Sequence, residues 1–356
     1  MRGTTGPTSD ASPPSNATEA RARPRGLRRF RGAGLGVGWL GIALLGVLGI
    51  LCFGSLPWTF ASVNRPGQPP ARRYDAGNID LSLLPPSWLG TSVEDLRRIE
   101  RARADGAYVP GRLLGSDRQG RDVFARCLAG GAISLVVGFS AAALSMVIGT
   151  AYGAFAGFRG GRVDAVMMRI VDVLFGLPSI LLVVLLAVAV GGRLDASGDA
   201  VAPWLRQAIE LVTLLVAIGG VSWLTMARVI RGQVLSLKAQ PFIEAARAIG
   251  VPSGTQFRVH LLPNLFGPIA VYATLAVPSA ILSESFLSFL GIGIRDPLPS
   301  WGNLAADALS ELNTVSSRWW MLVAPCLLIA VALVSLNFVG DSLRQRLDPL
   351  GRRAAR

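Results

Sequence analysis

The chain has 356 residues, is 51% hydrophobic and only 16% charged, and carries a formal net charge of +13. A mean hydropathy of +0.48 argues against an ordinary soluble domain and puts a membrane protein first. Three scattered cysteines, one histidine (His260) and one lysine (Lys238, preceded by Leu237) speak against a disulfide framework, a His-based metal site or triad, and a phosphate-cradling G-K-[ST] loop.

Residues 1–31 are rich in Pro, Ser, Thr, Gly and Arg and read as a disordered basic terminus. Arg21, Arg23, Arg25, Arg28, Arg29 and Arg31 precede the first apolar run, so the positive-inside rule puts this end in the cytoplasm. As a juxtamembrane anchor the cluster needs no nucleic acid to explain it. Residues 32–58 are uncharged and long enough to span. They exceed a signal-peptide core and show no A-x-A cleavage site, so they read as an uncleaved first transmembrane helix.

Residues 59–130 are polar, with Pro69-Pro70 and Pro85-Pro86, and are expected outside the cell membrane. Glu94–Asp105 reads as a charged helix. Residues 131–340 hold five further transmembrane helices. Leu128–Phe158 is uncharged, and Gly149, Gly153 and Gly157 make two overlapping GxxxG spacings. That is a helix-packing signal, with a place on a translocation path as the other reading. Arg159–Arg169 reads as a short polar inner loop. Val173–Gly192 reads as the third span with Pro178 inside it, Arg193–Glu210 as an outer loop, and Leu211–Ala227 as a short fourth span. Leu265–Leu290 is the fifth, with Pro268, Pro278 and, near its outer end, Glu284. An ionisable residue there marks function or an interface; bonding to a neighbouring helix is favoured over contact with substrate. Trp301, Trp319 and Trp320 suit a membrane interface. Trp319–Gly340 is the sixth span, and residues 341–356 form a basic cytoplasmic tail. The result is an all-α polytopic membrane protein of six transmembrane helices with both termini cytoplasmic.

One polar interruption stands out, within residues 239–264. Pro241 suits a first helical turn. Ala245, Ala246 and Ala248 favour helix, and Phe242, Ala246 and Ile249 give it one apolar edge. Gly250 can supply the left-handed residue that ends a helix. Ser253 and Gln256 have capping-box spacing for a second helix, which Pro263 limits. Two short helices with a hinge at Gly250 are expected.

Several motifs then point one way. Glu244-Ala245-Ala246, Gly250, His260 and Leu262-Pro263 resemble the EAA signature of ABC importer permeases. Leu114-Gly115-Ser116-Asp117 to Gly120-Arg121-Asp122 resembles the LGTDxxGRD element of the dipeptide/oligopeptide/nickel permease family, with Ser for the usual Thr. Pro86-Ser87-Trp88 resembles its PSW, here set off by about 25 inserted residues. Residues 160–169, within the Arg159–Arg169 loop, resemble GGxxDxxxMR, Glu284–Gly291 resembles ExxLSFLGLG, Pro297–Gly302 resembles PxPxWG, and Asn337–Pro349 resembles NxxGDxLRDxLDP, with Gln345 for Asp.

This resemblance, from about Leu114 to Gly351, implies the C-type permease of an ABC type I importer. In such a complex a second (B-type) permease completes the path. Two cytoplasmic ATPase subunits hold ATP and magnesium, and an extracytoplasmic binding protein delivers a peptide or, in sister systems, nickel. The loop would dock on an ATPase, with Phe242, Glu244, Ala245, Ala246, Gly250, His260, Leu262 and Pro263 as its residues. No catalytic residue and no bound cofactor is expected in this chain, since no paired carboxylates, nucleophile with base or metal cluster stands out. The few soft ligands lean toward peptides rather than nickel. A stand-alone ion-driven carrier needs charged span interiors or inverted repeats, whereas most span interiors here are charge-free and no clear repeat stands out. A membrane scaffold fits the proline-rich spans and the motif set less well.

Overall fold

The computed structural model describes residues 29–65, 68–196, 201–312 and 317–347. The N-terminal basic segment up to residue 28 and the end of the C-terminal tail lie outside these. Among the described residues six helices are long and apolar enough to cross a membrane.

The first is α1 (Arg29–Gly54), extended by a short α2 (Leu56–Thr59). A hairpin of β1 (Ser62–Arg65) and β2 (Gln68–Arg72) follows, then a 3-10 turn at Ile79–Leu81 and α3 (Val93–Ala104). Ser92 caps α3 through Asp95 N–H, and acidic residues open it while arginines close it, which suits the helix dipole. Leu81 and Leu84 pack on Ile99 and Ala102. The inserted segment is a closed excursion, because Ser87 N–H donates to Arg112 O at 2.8 Å and Trp88 Nε1 to Leu113 O at 2.8 Å. PSW and the LGSDRQGRD element therefore lie side by side despite the residues between them.

The second span, α4 (Val123–Arg159), is capped by Asp122 through the Phe124 and Ala125 N–H groups. At 37 residues it is about 55 Å long, so it carries the chain from the α3 end of the bundle to the opposite end. Residues 159–169 are not a loop. They lie almost wholly in an amphipathic helix, α5 (Gly161–Phe175), which Gly160 separates from α4 in a left-handed conformation with φ +67°. Pro178 is not inside the third span. It sits in the break between α5 and α6 (Ser179–Ala196), where its missing N–H costs no helical hydrogen bond.

The fourth span is far longer than 211–227. α7 (Pro203–Lys238) takes in the last eight residues of the expected outer loop, 203–210, and its charged residues at both ends, among them Arg206, Glu210, Arg228 and Arg231, ride on the helix. Arg206 pairs with Asp195 and with Glu210, four residues on. Ion pairs of this kind let a helix outrun its apolar core, which is why hydrophobicity alone marks out too short a span.

Beyond α7 come α8 (Pro241–Ala248), a single turn α9 (Ser253–Thr255), a π-helical turn at Gln256–Leu261 and the fifth span α10 (Leu262–Phe289). The bundle ends with α11 (Trp301–Leu309) and the sixth span α12 (Trp319–Leu347). Along the bundle α4 packs on α7 and α10, α10 on α12, and α1 on α12. Trp301 is not an interfacial tryptophan. It is fully buried, donates to Cys127 O at 3.1 Å, and lies against Gly131 of α4, where a Cβ would come within 2.6 Å of its ring. A glycine notch filled by a large ring is a tertiary fit that composition does not reveal.

Candidate functional site

The hairpin between α7 and α10 carries the predicted docking residues. α8 ends in a Schellman motif: Gly250 has φ +80°, its N–H donates to Arg247 O at 3.0 Å, and Val251 N–H donates to Ala246 O at 3.0 Å. The bend predicted at Gly250 is therefore a hydrogen-bonded helix cap. The capping box at Ser253 is not formed, since Pro252 holds the cap position. Gln256 instead folds back, Nε2 donating to Val251 O at 2.6 Å.

The second helix is not short either. It passes through the π turn, where Leu262 N–H reaches back to Phe257 O, and runs on into α10. The wider π turn spaces the backbone where the Pro263 ring would otherwise press on the preceding turn. Pro263 thus stands in the first turn of α10 rather than ending a helix.

The apolar edge of α8 is divided. Ile243 and Ala246 are buried against the bundle, and Phe242, Glu244, Ala245 and Ile249 face away from it, with Ile249 81% exposed and Phe242 43%. His260 is half-buried, its ring 6.4 Å from that of Phe242 across the hairpin. Leu262 is half-buried and Pro263 exposed. The geometry is a short helix, anchored along one edge, that offers an unpartnered apolar and acidic face.

Three basic residues of α7, which the sequence marks only by their charge, tie the end of this helix to α4 and α5 next to the hairpin. Arg231 of α7 grips Asp164 of α5 with two hydrogen bonds, Nε to Oδ1 at 2.5 Å and Nη2 to Oδ2 at 2.6 Å. Arg228 bonds Asp172 at 2.8 Å and stacks over Phe175, 4.0 Å from its centroid. Lys238, the last residue of α7, donates to the Gly157 and Phe158 carbonyls at 3.2 and 2.9 Å, where a cation is favoured by the end of α4. One signal was available: the chain's single lysine falls at a helix end just before the polar loop. The partners on α4 and α5 are distant in sequence and could not be matched to it.

Gly149, Gly153 and Gly157 all face α7. A Cβ at Gly149 would lie 2.5 Å from Met226 Cβ, one at Gly153 would strike the Ala227 carbonyl, and one at Gly157 would stand 3.0 Å from Arg231 O. They are packing residues here. Glu284 is fully buried. It accepts from Ser288 Oγ at 2.8 Å and Ser285 Oγ at 3.3 Å, and Ser288 Oγ in turn accepts from Ile294 N–H at 3.0 Å. It therefore ties the end of α10 to the turn that follows it.

At the α3 end a charge network closes the bundle. Asp117 Oδ1 accepts the Gln119 and Arg121 N–H groups, and its Oδ2 lies 2.7 Å from Arg121 Nε and 3.4 Å from Arg126 Nη1. Arg126, fully buried in α4, also reaches Asp296 at 2.9 Å. Burial pushes the Asp122 carboxyl up to about 6, against the two backbone hydrogen bonds of its cap. Burial, with Asp296 nearby, does the same to Asp307, also to about 6. Ser116, in place of the family's Thr, donates to Leu81 O at 2.6 Å and accepts from Leu84 N–H at 2.8 Å. A hydroxyl is what that position uses, and Ser supplies it.

Six spans with a helical hairpin presented from one end describe a polytopic membrane protein built to meet a partner outside the bilayer. The chain belongs to the family of binding-protein-dependent transport system inner membrane components, whose model matches residues 149–353, more than half of it. It is a multi-pass inner membrane protein. Among its relatives, the Dipeptide transport system permease protein DppC of Bacillus subtilis is 43% identical over 240 residues, covering 67% of this chain and 69% of that protein. The Oligopeptide transport system permease protein OppC of Haemophilus influenzae is 42% identical over 239 residues (67% and 70%), and OppC of Escherichia coli K12 is 44% identical over 242 residues (68% and 74%).

Proposed function

We propose that this chain is one of two permease subunits of an ATP-driven importer for di- or oligopeptides. A second permease completes the path, two ATPase subunits on the cytoplasmic side bind ATP and magnesium, and an extracytoplasmic binding protein delivers the substrate. The α8 end and both termini are cytoplasmic, and α3 is outside. The observation that carries this reading is α8 itself: one edge locked into the bundle by Ile243 and Ala246, the other leaving Phe242 and Ile249 open to a partner. An apolar-edged helix of this kind suits a groove on a second protein. Peptide rather than nickel is favoured by the names of the relatives and by the few soft ligands of the sequence, one His and three Cys.

Mechanically, ATP-driven closure of the ATPase pair moves α8. The Schellman cap and the π turn pass that motion into α10, and Lys238 and Arg231 pass it into α4 and α5. The test is purification of the tagged chain from native membranes in mild detergent, with mass spectrometry of what accompanies it. The recovered complex is then reconstituted for ATP-dependent uptake of labelled peptides and of nickel. A second permease, two ATPases and peptide uptake support the reading. The chain alone, from conditions that keep a known importer intact, would overturn it, and nickel uptake without peptide uptake would transfer it to the sister class.

A further inference from the structure

A groove of about 720 Å³ runs between α4 and the start of α10 at the α8 end. Its long wall is a straight stripe of α4 that includes Val147, Ala151, Ala154, Phe155 and Phe158, and its other wall is formed by Phe257, Leu262 and Ile269. Gly254 and the two alanines keep it open. Phe158 and Phe257, their rings 5.0 Å apart, close one side. The wall from Met146 to Arg159 rises about 20 Å, somewhat more than the roughly 15 Å of hydrocarbon in one leaflet.

The mouth of the groove is basic. Arg159 ends the α4 wall, its guanidinium 5.4 Å from the Phe155 ring centroid, and Arg258 lines the facing wall. Among the described residues neither has an acidic partner, while Asp164 and Asp172 close by in sequence are held by Arg231 and Arg228. Two cations therefore share the mouth of an apolar cleft about as deep as a leaflet. A phosphate at the mouth and an acyl chain along the stripe match both features at once.

We infer that this groove holds an anionic phospholipid from the leaflet on the α8 side, its phosphate between Arg159 and Arg258 and one chain against Val147, Ala151 and Phe155. Seated there it bridges α4 to the π turn, next to the hairpin. The choice of a lipid over a protein helix rests on two arginines without an acidic partner among the described residues and on the match of groove to leaflet. It does not depend on which substrate is carried.

The complex as purified is exchanged into nanodiscs of equal phosphatidylglycerol and phosphatidylcholine, and the lipids it retains are read by native mass spectrometry. Two arginines make the expected preference for phosphatidylglycerol roughly tenfold or more. The double variant Arg159→Gln/Arg258→Gln should bring it to about one, and Arg159→Lys/Arg258→Lys should keep it. Equal retention by the unaltered protein, or a preference that the Gln pair leaves intact, would overturn the inference. A second readout places a fluorophore at Phe155→Cys in a Cys326→Ser background. Quenching by phosphatidylglycerol with brominated chains is expected, and a label that escapes quenching but cross-links to another protein would assign the groove to that protein.

Discussion

Gly250 shows how one residue sets the hairpin. Its φ of +80° lies where side chains with a Cβ cost roughly 1–2 kcal/mol, and more when β-branched. The space around it is open, and a Cβ added there would meet no heavy atom within 4 Å. Any penalty there is consequently one of backbone and not of clash. Gly250→Val should leave the protein in the membrane at normal level but sharply lower peptide taken up per ATP hydrolysed, while Gly250→Asn, which tolerates this conformation, should keep most of the coupling. The ratio of uptake to hydrolysis in proteoliposomes checks this, and equal ratios for Val and Gly would refute it.

Asp122 gives a pH dependence at the other end. Its carboxyl in the fold is raised to about 6 from the ordinary 3.8 of an aspartate. The folded protein therefore binds this proton more readily than the unfolded chain does. The cost of keeping Asp122 ionised is full above pH 6 and disappears as pH falls toward 4. Asp122→Asn keeps a good cap and removes the charge. It should unfold at a higher temperature than the unaltered protein at pH 7.5, with the gap closing near pH 4.5. Melting curves in detergent at the two pH values decide it, and a gap independent of pH would assign the effect elsewhere.

At the scale of elements, α5 lies on the bundle with much of its apolar surface outward. Its face includes Val163, Val166, Ile170 and Val173, all exposed, and only Asp164, Met168 and Val171 are buried. Asp164–Arg231 and Asp172–Arg228 therefore hold it to α7. Side-chain exposures of 12% for Asp164 and 34% for Arg231 put the first pair between a surface and a buried bridge. A double-mutant cycle on Asp164→Asn and Arg231→Gln should give a coupling of about 0.5–3 kcal/mol, and the exchange Asp164→Arg with Arg231→Asp should recover part of the uptake that either single reversal loses. Additive single effects would show that the pair carries nothing between α5 and α7. From sequence, residues 159–169 look like a short polar loop, yet Asp164 and, just beyond them, Asp172 are committed to arginines of α7.

Across the whole molecule, the proposed topology is open to direct test. α4 and α7 run the length of the bundle, so α3 and the hairpin stand at opposite ends, with Ser92 and Thr255 at turns on each. In a Cys326→Ser background, Ser92→Cys should react with an impermeant maleimide in intact spheroplasts. Thr255→Cys should react only after the membrane is opened. Reaction of Thr255→Cys from outside would invert the orientation and with it the placing of the ATPases.

Much of this protein was legible without coordinates. Long uncharged runs must satisfy their backbone internally in lipid, so helical spans follow from composition alone. The left-handed stop at Gly250 and the close-packing role of Gly149, Gly153 and Gly157 follow from the absence of a Cβ. The tertiary structure decided what depends on partners far apart in the chain. It set the true length of α7, whose end charges are neutralised or solvated, and it buried Trp301 in the notch at Gly131. It carried the chain through Pro263 by way of a π turn, and it turned Phe242 and Ile249 outward while Ile243 and Ala246 turned in. Periodicity can show that a helix has an apolar edge, but which edge is buried is settled by the neighbour it meets, and that neighbour is brought there only by the fold.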